Sequence, residues 1–308
     1  MSETTLTKPR PMTWRKYLDK AFPYLLILPV IIYYIIFWLR PVFSMVIQSF
    51  SSLEGEFTLN NYYMVLTDAA FGPALRNTAI IVAFSVSVEF IFALALALLI
   101  NRKWRGSGIF LFLAMIPMAI PAVAVGAMWI TGFTAHGWIN SLLYYLGIIE
   151  LNEKIYWLAA SQIAIMAIVI LIDAWQVIPS VMIILLAGLQ NIPVETEEAG
   201  YVFGGSYVYV LRKITIPLLK PTITTAIILR LISAIQIWLI IVMLLGFSRM
   251  PVLVERIVYY YEEVGNLYVS AQMAAGYTII VSFIVSLAAM VYLFVSGAFK
   301  SDDEEARL

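Results

Sequence analysis

The stretch that decides the fold is NIPVETEEAGYVFGGSYVYVLRKITIPLLKP, residues 191–221. It carries three glutamates, two adjacent glycines and an Arg–Lys pair, and it separates two long apolar runs at residues 163–189 and 222–246. A connection between two helices needs only a few residues. The insert is longer and more charged than a connection requires, which indicates that something grips it.

Composition places the chain in a membrane. Its 308 residues are 62% hydrophobic and only 12% charged, whereas soluble domains carry about 25% charged residues. The net charge is zero, so there is no general basic surface for nucleic acid. The absence of cysteine excludes disulfides and thiolate chemistry, and a single histidine, His136, does not make a metal cluster.

Hydropathy predicts six spans, because crossing the hydrocarbon takes about 20 apolar residues per helix. Backbone polar groups must be paired within lipid, so each span is expected to be a helix. We therefore predict an all-α polytopic membrane protein whose first span is retained rather than cleaved. The predicted spans are residues 24–48, 78–100, 107–131, 158–189, 217–246 and 271–297.

Positive charge predicts the orientation. Of the 19 Lys and Arg residues, 13 fall in the two tails, the loop after the second span and the 191–221 insert. Five fall on the other side, and Arg230 lies within a span. We expect a cytoplasmic tail at 1–22, a transmembrane domain at 23–298 with a loop at 191–217, and a cytoplasmic tail at 299–308.

Three loops are expected on the external side, at about residues 51–77, 132–157 and 247–272. They are rich in Trp and Tyr. Two interpretations stay open, because such rings can anchor a protein at the membrane interface or form a docking surface.

The insert itself predicts a helix, a corner and a second short helix. Pro193 suits a first helical turn, and Glu195, Glu197 and Glu198 complement its positive end. Gly204 and Gly205 provide the backbone freedom that a corner needs. Ser206 is expected to cap the second helix, and Pro217 to open the next span.

This insert has two possible uses. It either rests on lipid as an interfacial helix or is held by a partner protein. Acidic residues suit an anionic inner leaflet poorly, which favours a partner.

The insert resembles the cytoplasmic EAA loop of ABC importer permeases. That loop reads Glu-Ala-Ala, three residues, Gly, nine residues, and Ile-x-Leu-Pro. The matching residues are Glu198, Ala199, Gly200, Gly204, Ile214 and Pro217. Gly200 replaces the second alanine, Ile216 replaces the leucine, and Phe203 stands where an acidic residue is common.

The resemblance extends along most of the chain and is nearest to carbohydrate importers of the maltose and trehalose type. It implies a type I importer permease fold in which the insert is a coupling helix seated on a cytoplasmic ATPase. It also implies a second, different permease chain, two ATPase subunits and an external solute-binding protein. ATP and Mg would be bound by the ATPase, since this sequence has no phosphate-binding G-x-x-x-x-G-K-[ST] motif.

Three ionisable residues lie near the middle of predicted spans: Glu89, Asp173 and Arg230. Such groups are costly in lipid and usually functional. Three interpretations stay open, namely an ion pair or triad that holds helices together, a solute cavity, and ion coupling.

A sugar is better served by neutral polar and aromatic groups, and the candidates are Trp175, Gln176, Gln236, Trp238 and Tyr277. Each has packing as its alternative role. Pro117, Pro121 and Gly126 are expected either to interrupt the third span and expose backbone to a cavity, or to make packing kinks.

Other classes fit less well. An ion-coupled secondary transporter predicts inverted repeats and leaves the insert unexplained. A membrane enzyme lacks a plausible catalytic set. An ABC importer of polyamine, phosphate or peptide remains the alternative cargo. Binding-protein-dependent sugar import into a prokaryote, by a non-catalytic subunit in the plasma membrane, is the function that the sequence favours.

Overall fold

The computed structural model describes residues 14–150, 152–263 and 268–297, so most of the predicted tails at 1–22 and 299–308 lie outside it. The described chain folds as helices. These are α1 (Trp14–Tyr34), α2 (Arg40–Ser49), α3 (Asn60–Thr67), α4 (Phe71–Asn101), α5 (Ser107–Met115), α6 (Ala122–Phe133), α7 (Trp138–Tyr145), α8 (Gln162–Gln190), α9 (Val194–Val202), α10 (Tyr207–Val210), α11 (Ile216–Ile235), α12 (Leu239–Leu245), α13 (Leu253–Val258) and α14 (Tyr268–Ser296).

Five helical stretches of the described chain are long and apolar enough to cross a membrane, and the bent pair formed by α5 and α6 brings the number to six if it is one span. The six predicted spans agree with this count. The five stretches are Ala21–Ser49, Phe71–Asn101, Gln162–Gln190, Tyr207–Ile235 and Ser270–Ser296.

The centre of the bundle is the pair α4 and α8, with α11 packed against both. Small residues allow this approach: Ala93 and Ala97 are fully buried, and a Cβ on Gly188 would lie 2.6 Å from Thr222 on α11. Lipid tails are as apolar as the side chains, so the hydrophobic effect does not drive helices together in a membrane. Close packing of small residues holds them together instead.

Helices α4 and α8 run in the same direction. Near their first turns, Gln162 donates a hydrogen bond to Asn77 at 3.0 Å. Their last turns, at Asn101 and Leu189, both border a cavity beside α9. We call this end the α9 face of the bundle and the opposite end the far face.

The third predicted span is not one straight helix. Helical residues Ser107–Ala119 and α6 meet at an angle of 93°. Pro121 lies in the break, and Pro117 lies in the 3₁₀ turn Ile116–Ala119 just before it. The interruption at these prolines was predicted from the sequence, since a proline lacks the N–H that would continue the ladder. Gly126 has a packing role instead, because a Cβ there would lie 2.6 Å from the Cβ of Met243 on α12.

The fifth span also differs from its predicted bounds of 217–246. Helix runs without interruption from Tyr207 through a π-helical turn at Leu211–Thr215 and on to Ile235. It then breaks at residues 236–238 and resumes as α12. Pro217 therefore lies inside the helix, near the start of α11, and does not begin the span.

The first half of the first span lies apart from the bundle. None of its most apolar window is buried by the rest of the described chain. A π-helical turn at Ile35–Leu39 separates α1 from α2, and α2 packs against α14. The apolar side chains of residues 22–34 are therefore open to lipid or to another protein.

Candidate functional site

Helix α9 is the first half of the 191–221 insert. Pro193 precedes it as the N-cap residue, one position earlier than predicted, and its carbonyl accepts from the Thr196 amide at 3.1 Å. Glu195 and Glu197 lie in the first turn, where negative charge complements the helix dipole.

The predicted glycine corner ends α9. Gly204 has a φ of +83°, a conformation that residues with a Cβ rarely adopt. The Gly204 amide donates to Tyr201 at 2.9 Å and the Gly205 amide donates to Gly200 at 3.0 Å. This pair of bonds is a Schellman motif, which satisfies the last carbonyls of the helix and fixes the direction of the chain.

The packing around Gly200 accounts for the glycine that replaces the second alanine of the Glu-Ala-Ala pattern. A Cβ there would lie 2.5 Å from Cδ1 of Ile214 and 3.0 Å from Cγ2 of Val210. Glycine thus lets α9 lie directly on the helix that follows the corner.

That second helix begins as predicted and ends differently. The Ser206 hydroxyl accepts from the Tyr209 amide at 3.4 Å and caps the helix start. The prediction of a separate short helix was wrong, since α10 continues through the π-helical turn into α11. The insert is therefore built directly onto a membrane span.

The outer surface of α9 is open. Glu198 and Ala199 are exposed, and the apolar side chains of Val202 and Phe203 are 84% and 90% exposed. Beside them lies a depression of about 670 Å³. It is lined by Thr196, Ala199, Gly200, Phe203, Gly204, Gly205, Ser206, Tyr209 and Ile214. A surface with two exposed apolar side chains and a carboxylate suits a protein partner.

Glu89, Asp173 and Arg230, the three ionisable residues near the middle of their spans, meet in one cluster. Arg230 on α11 donates to both oxygens of Glu89 on α4, one of them at 2.8 Å, and also to Asp173 on α8. All three side chains are buried. The open question of a pair or a triad is settled as a triad that joins the three central helices.

Gln176 and Trp175 lie beside the bend of the third span. The Gln176 amide donates to the carbonyl of Ile120 at 2.9 Å, which satisfies a group near the helix break. The Trp175 ring packs edge-on against Trp129, with centroids 5.7 Å apart. Both residues thus support the bend.

Gln236 and Trp238 share a groove at the break between α11 and α12. The groove has a volume of about 410 Å³ and is lined by Gln236, Trp238, Val254, Ile257, Thr278, Val281, Ser282, Val285 and Ser286. Three of these residues form a hydroxyl row along α14, at Thr278, Ser282 and Ser286. This row was not predicted from the sequence, although the four-residue spacing of the three hydroxyls places them on one face of a helix.

Tyr277 lies elsewhere, in a buried network at the far face. Its hydroxyl and that of Tyr260 both donate to Oδ2 of Asp68. Burial by itself raises the pKa of Asp68, but the bonds from Tyr277, the Ala70 amide and Tyr260, together with nearby Arg256, outweigh burial and lower that pKa. The network joins the start of α4 to α13 and α14.

The comparisons with known proteins agree with this architecture. The family described as "Binding-protein-dependent transport system inner membrane component" matches residues 89–300. The chain belongs to this family.

Curated relatives of this permease include sugar importer subunits. The trehalose/maltose transport system permease protein MalF of Thermococcus litoralis is 30% identical over 299 residues, covering 93% of this chain and 97% of that protein. The sulfoquinovosyl glycerol permease SmoG of Agrobacterium fabrum is 32% identical, covering 77% and 78%.

A solved structure shows the fold. The crystal structure of a bacterial ABC transporter involved in the import of alginate contains a chain that superposes with a TM-score of 0.81 at 20% identity, over 93% of this chain and 99% of that chain. The permease therefore has the fold of an ABC importer membrane subunit. The triad, α9 and the groove all lie within residues 89–300, which the family matches.

Proposed function

We propose that this permease is one of two different membrane subunits of an ATP-driven importer that moves a sugar across the plasma membrane of a prokaryote. The transport role follows from the family, and the sugar follows from the trehalose/maltose and sulfoquinovosyl glycerol systems to which its relatives belong. The observation that carries the proposal is α9, an exposed helix fixed by a Schellman motif onto a continuous span.

The orientation is part of the proposal. We place both tails and α9 in the cytoplasm, because 13 of the 19 Lys and Arg residues fall on that side. The far face then meets the external solute-binding protein.

The partner of α9 is an ABC ATPase subunit, of which the complex has two, and ATP and Mg are bound there. Glu198 supplies a polar contact to that subunit. The small residues Ala199 and Gly200 allow the subunit to approach α9 closely. Gly204 makes the corner, Ile214 supports α9 at Gly200, and Pro217 lies at the start of α11, which carries the motion onward. This chain transmits motion and has no catalytic role of its own.

The solute path runs along the groove at the α11–α12 break. Discontinuous helices mark solute sites in transporters. Gln236 is exposed and offers an amide, Trp238 offers a flat ring, and α14 offers its hydroxyl row. These are the groups that bind sugar hydroxyls and C–H faces. The second permease chain closes the other side of the path.

The test has two parts. A tagged chain is purified gently from its native membrane and the proteins that accompany it are identified. The recovered complex is then reconstituted in proteoliposomes with its binding protein, and uptake of radiolabelled trehalose and maltose is measured with ATP and with an ion gradient.

Co-purification of an ATPase and a second six-span chain, with ATP-dependent sugar uptake, supports the proposal. Loss of the ATPase in Glu198→Ala and Gly204→Val places the docking surface on α9. A chain that purifies alone, with uptake driven by an ion gradient, overturns the proposal. ATP-driven uptake of a non-sugar solute in place of sugars overturns the cargo assignment alone.

A further inference from the structure

Two neighbouring carboxylates of α9 have different surroundings. Glu198 is exposed on the outer surface. Glu197 is half-buried, and its Oε1 accepts a hydrogen bond of 2.8 Å from the Thr215 hydroxyl. Thr215 is buried and ends the π-helical turn before α11. This bond joins the first turn of α9 to the membrane span.

The π-helical turn helps to explain why Thr215 reaches α9. Serine and threonine hydroxyls within helices usually bond to a carbonyl of the preceding turn. A turn with one extra residue rotates the following side chains by about 100° relative to a regular helix. Thr215 bonds to Glu197 from this rotated position.

The Glu197–Thr215 bond matters because a cavity separates α9 from its other neighbours. About 510 Å³ of space lies between α9 and the ends of α4 and α8, bordered by Glu197 and Thr215 themselves. Helix α9 is therefore not packed against α4 or α8 on that side. Residues 191–193 join its start to α8. Its contacts with the helix that follows are the Schellman corner at its end, the packing of Gly200 on Ile214 and Val210, and the Glu197–Thr215 bond near its start.

If α9 were held to the following helix only at its corner, it could pivot about that corner; held to that helix near both ends, it moves with it. Here the support is continuous helix from Tyr207 to Ile235. It carries Arg230 of the buried triad and ends at the break where the groove begins. Motion of α9 reaches the groove only if α9 and this helix move together.

We propose that Glu197 and Thr215 form a latch that makes α9 and α11 a single lever. The inference rests on the proposed function for the source of the force, an ATPase bound to α9. Glu197 and Thr215 are positioning residues: neither contacts the solute, and Glu197 acts on α9 through Thr215.

The rigidity of α9 can be measured without knowing the solute. The chain has no cysteine, so Val202→Cys provides a single site for a spin label on the exposed tip of α9. We expect Thr215→Val and Glu197→Ala to increase the motion of this label in the full chain. Thr215→Ser keeps the donor, and Glu195→Ala removes an exposed carboxylate from the same turn, so both are expected to match the parent.

The lever role is measured in the reconstituted complex as solute taken up per ATP hydrolysed. We expect Thr215→Val and Glu197→Ala each to lower this ratio about tenfold, the order expected for one hydrogen bond to a charged group. The double variant is expected to lose no more than either single variant, because both remove the same bond. If the Thr215→Val chain fails to assemble, the test is made with Glu197→Ala, since Glu197 is only half-buried.

The outcomes separate the latch from the proposed function. Unchanged label motion in both single variants overturns the latch. Increased motion with an unchanged uptake ratio, or additive losses in the double variant, overturns the lever. A parent complex without ATP-driven uptake overturns the proposed function, and the lever with it, whatever the label shows.

Discussion

Arg230 donates a hydrogen bond of 2.8 Å to Oε1 of Glu89, a residue 141 positions away in the sequence. The same guanidinium also bonds to Asp173, so one cation faces two buried carboxylates. Charges in a low-dielectric site are stable only when they are paired and hydrogen-bonded. The triad therefore fixes how α4, α8 and α11 sit together, which favours the structural interpretation of these residues.

Replacing Arg230 with Gln leaves two buried carboxylates without a cation. We expect a loss of about 3–5 kcal/mol, seen as a lower yield of monodisperse protein and a lower Tm in detergent. Arg105→Gln, on an exposed residue, is the matched control. An unchanged Tm in Arg230→Gln would show that the triad does not hold the helices together.

Gly204 is needed for its backbone conformation and not for space. Its φ is +83° and no atom lies within 4 Å of an added Cβ. We expect Gly204→Val to cost about 1–3 kcal/mol locally, to weaken ATPase binding and so to reduce ATP-driven uptake, with membrane insertion intact. Gly204→Asn should retain most coupling, because Asn tolerates this conformation. Full transport by the Val variant would contradict the corner role.

Gly200 and Gly205 are expected to differ in how well they tolerate substitution by alanine. A Cβ on Gly205 would meet the Gly200 carbonyl oxygen at 2.7 Å, and backbone cannot move aside. A Cβ on Gly200 meets the flexible end of Ile214 instead. We therefore expect Gly205→Ala to abolish ATPase co-purification and Gly200→Ala to weaken it by about 1 kcal/mol.

Adding Ile214→Val to Gly200→Ala removes the clashing Cδ1 and should restore binding in part. The reverse order of severity, measured by the ATPase recovered per permease, would show that α9 packs differently from the arrangement described.

Two glutamines provide a test that separates support from solute contact. Gln176→Leu leaves the Ile120 carbonyl without its partner, and we expect a loss of about 1–3 kcal/mol in thermal stability. Gln236→Leu alters an exposed residue of the groove and should leave Tm unchanged while raising the KM for the solute. A change of Tm in Gln236→Leu alone would argue against both assignments.

Asp68 gives a pH dependence with a defined sign. Its pKa is lowered in the folded chain, so its contribution to stability is present above the unfolded pKa and is lost as pH falls through the folded pKa. We expect Asp68→Asn to lower Tm at neutral pH. The difference in Tm between parent and variant should stay constant down to about pH 5 and shrink below about pH 4.

Taking the difference cancels the titration of groups that both proteins share, such as Glu255, whose pKa is raised by burial. A difference that grows on acidification would show that the Asp68 carboxylate is not stabilised by its two tyrosines.

The sequence by itself determined the membrane class, most of the spans and the plan of the insert. Hydropathy over about 20 residues is a local property. Gly204 and Ser206 were also correctly assigned, because a positive φ and a helix cap involve only neighbouring residues. The EAA-like spacing needed no tertiary information.

Only the tertiary structure decided the 93° bend, the break after Ile235, and the pairing of Arg230 with both acids. The break after Ile235 contains neither Pro nor Gly, so the hydropathy pattern predicted one continuous span across it. Lipid satisfies an apolar side chain as well as another helix does, and hydropathy therefore does not reveal which face packs. The bond from Gln176 to Ile120 and the bond from Thr215 to Glu197 join segments that only the packed bundle brings together.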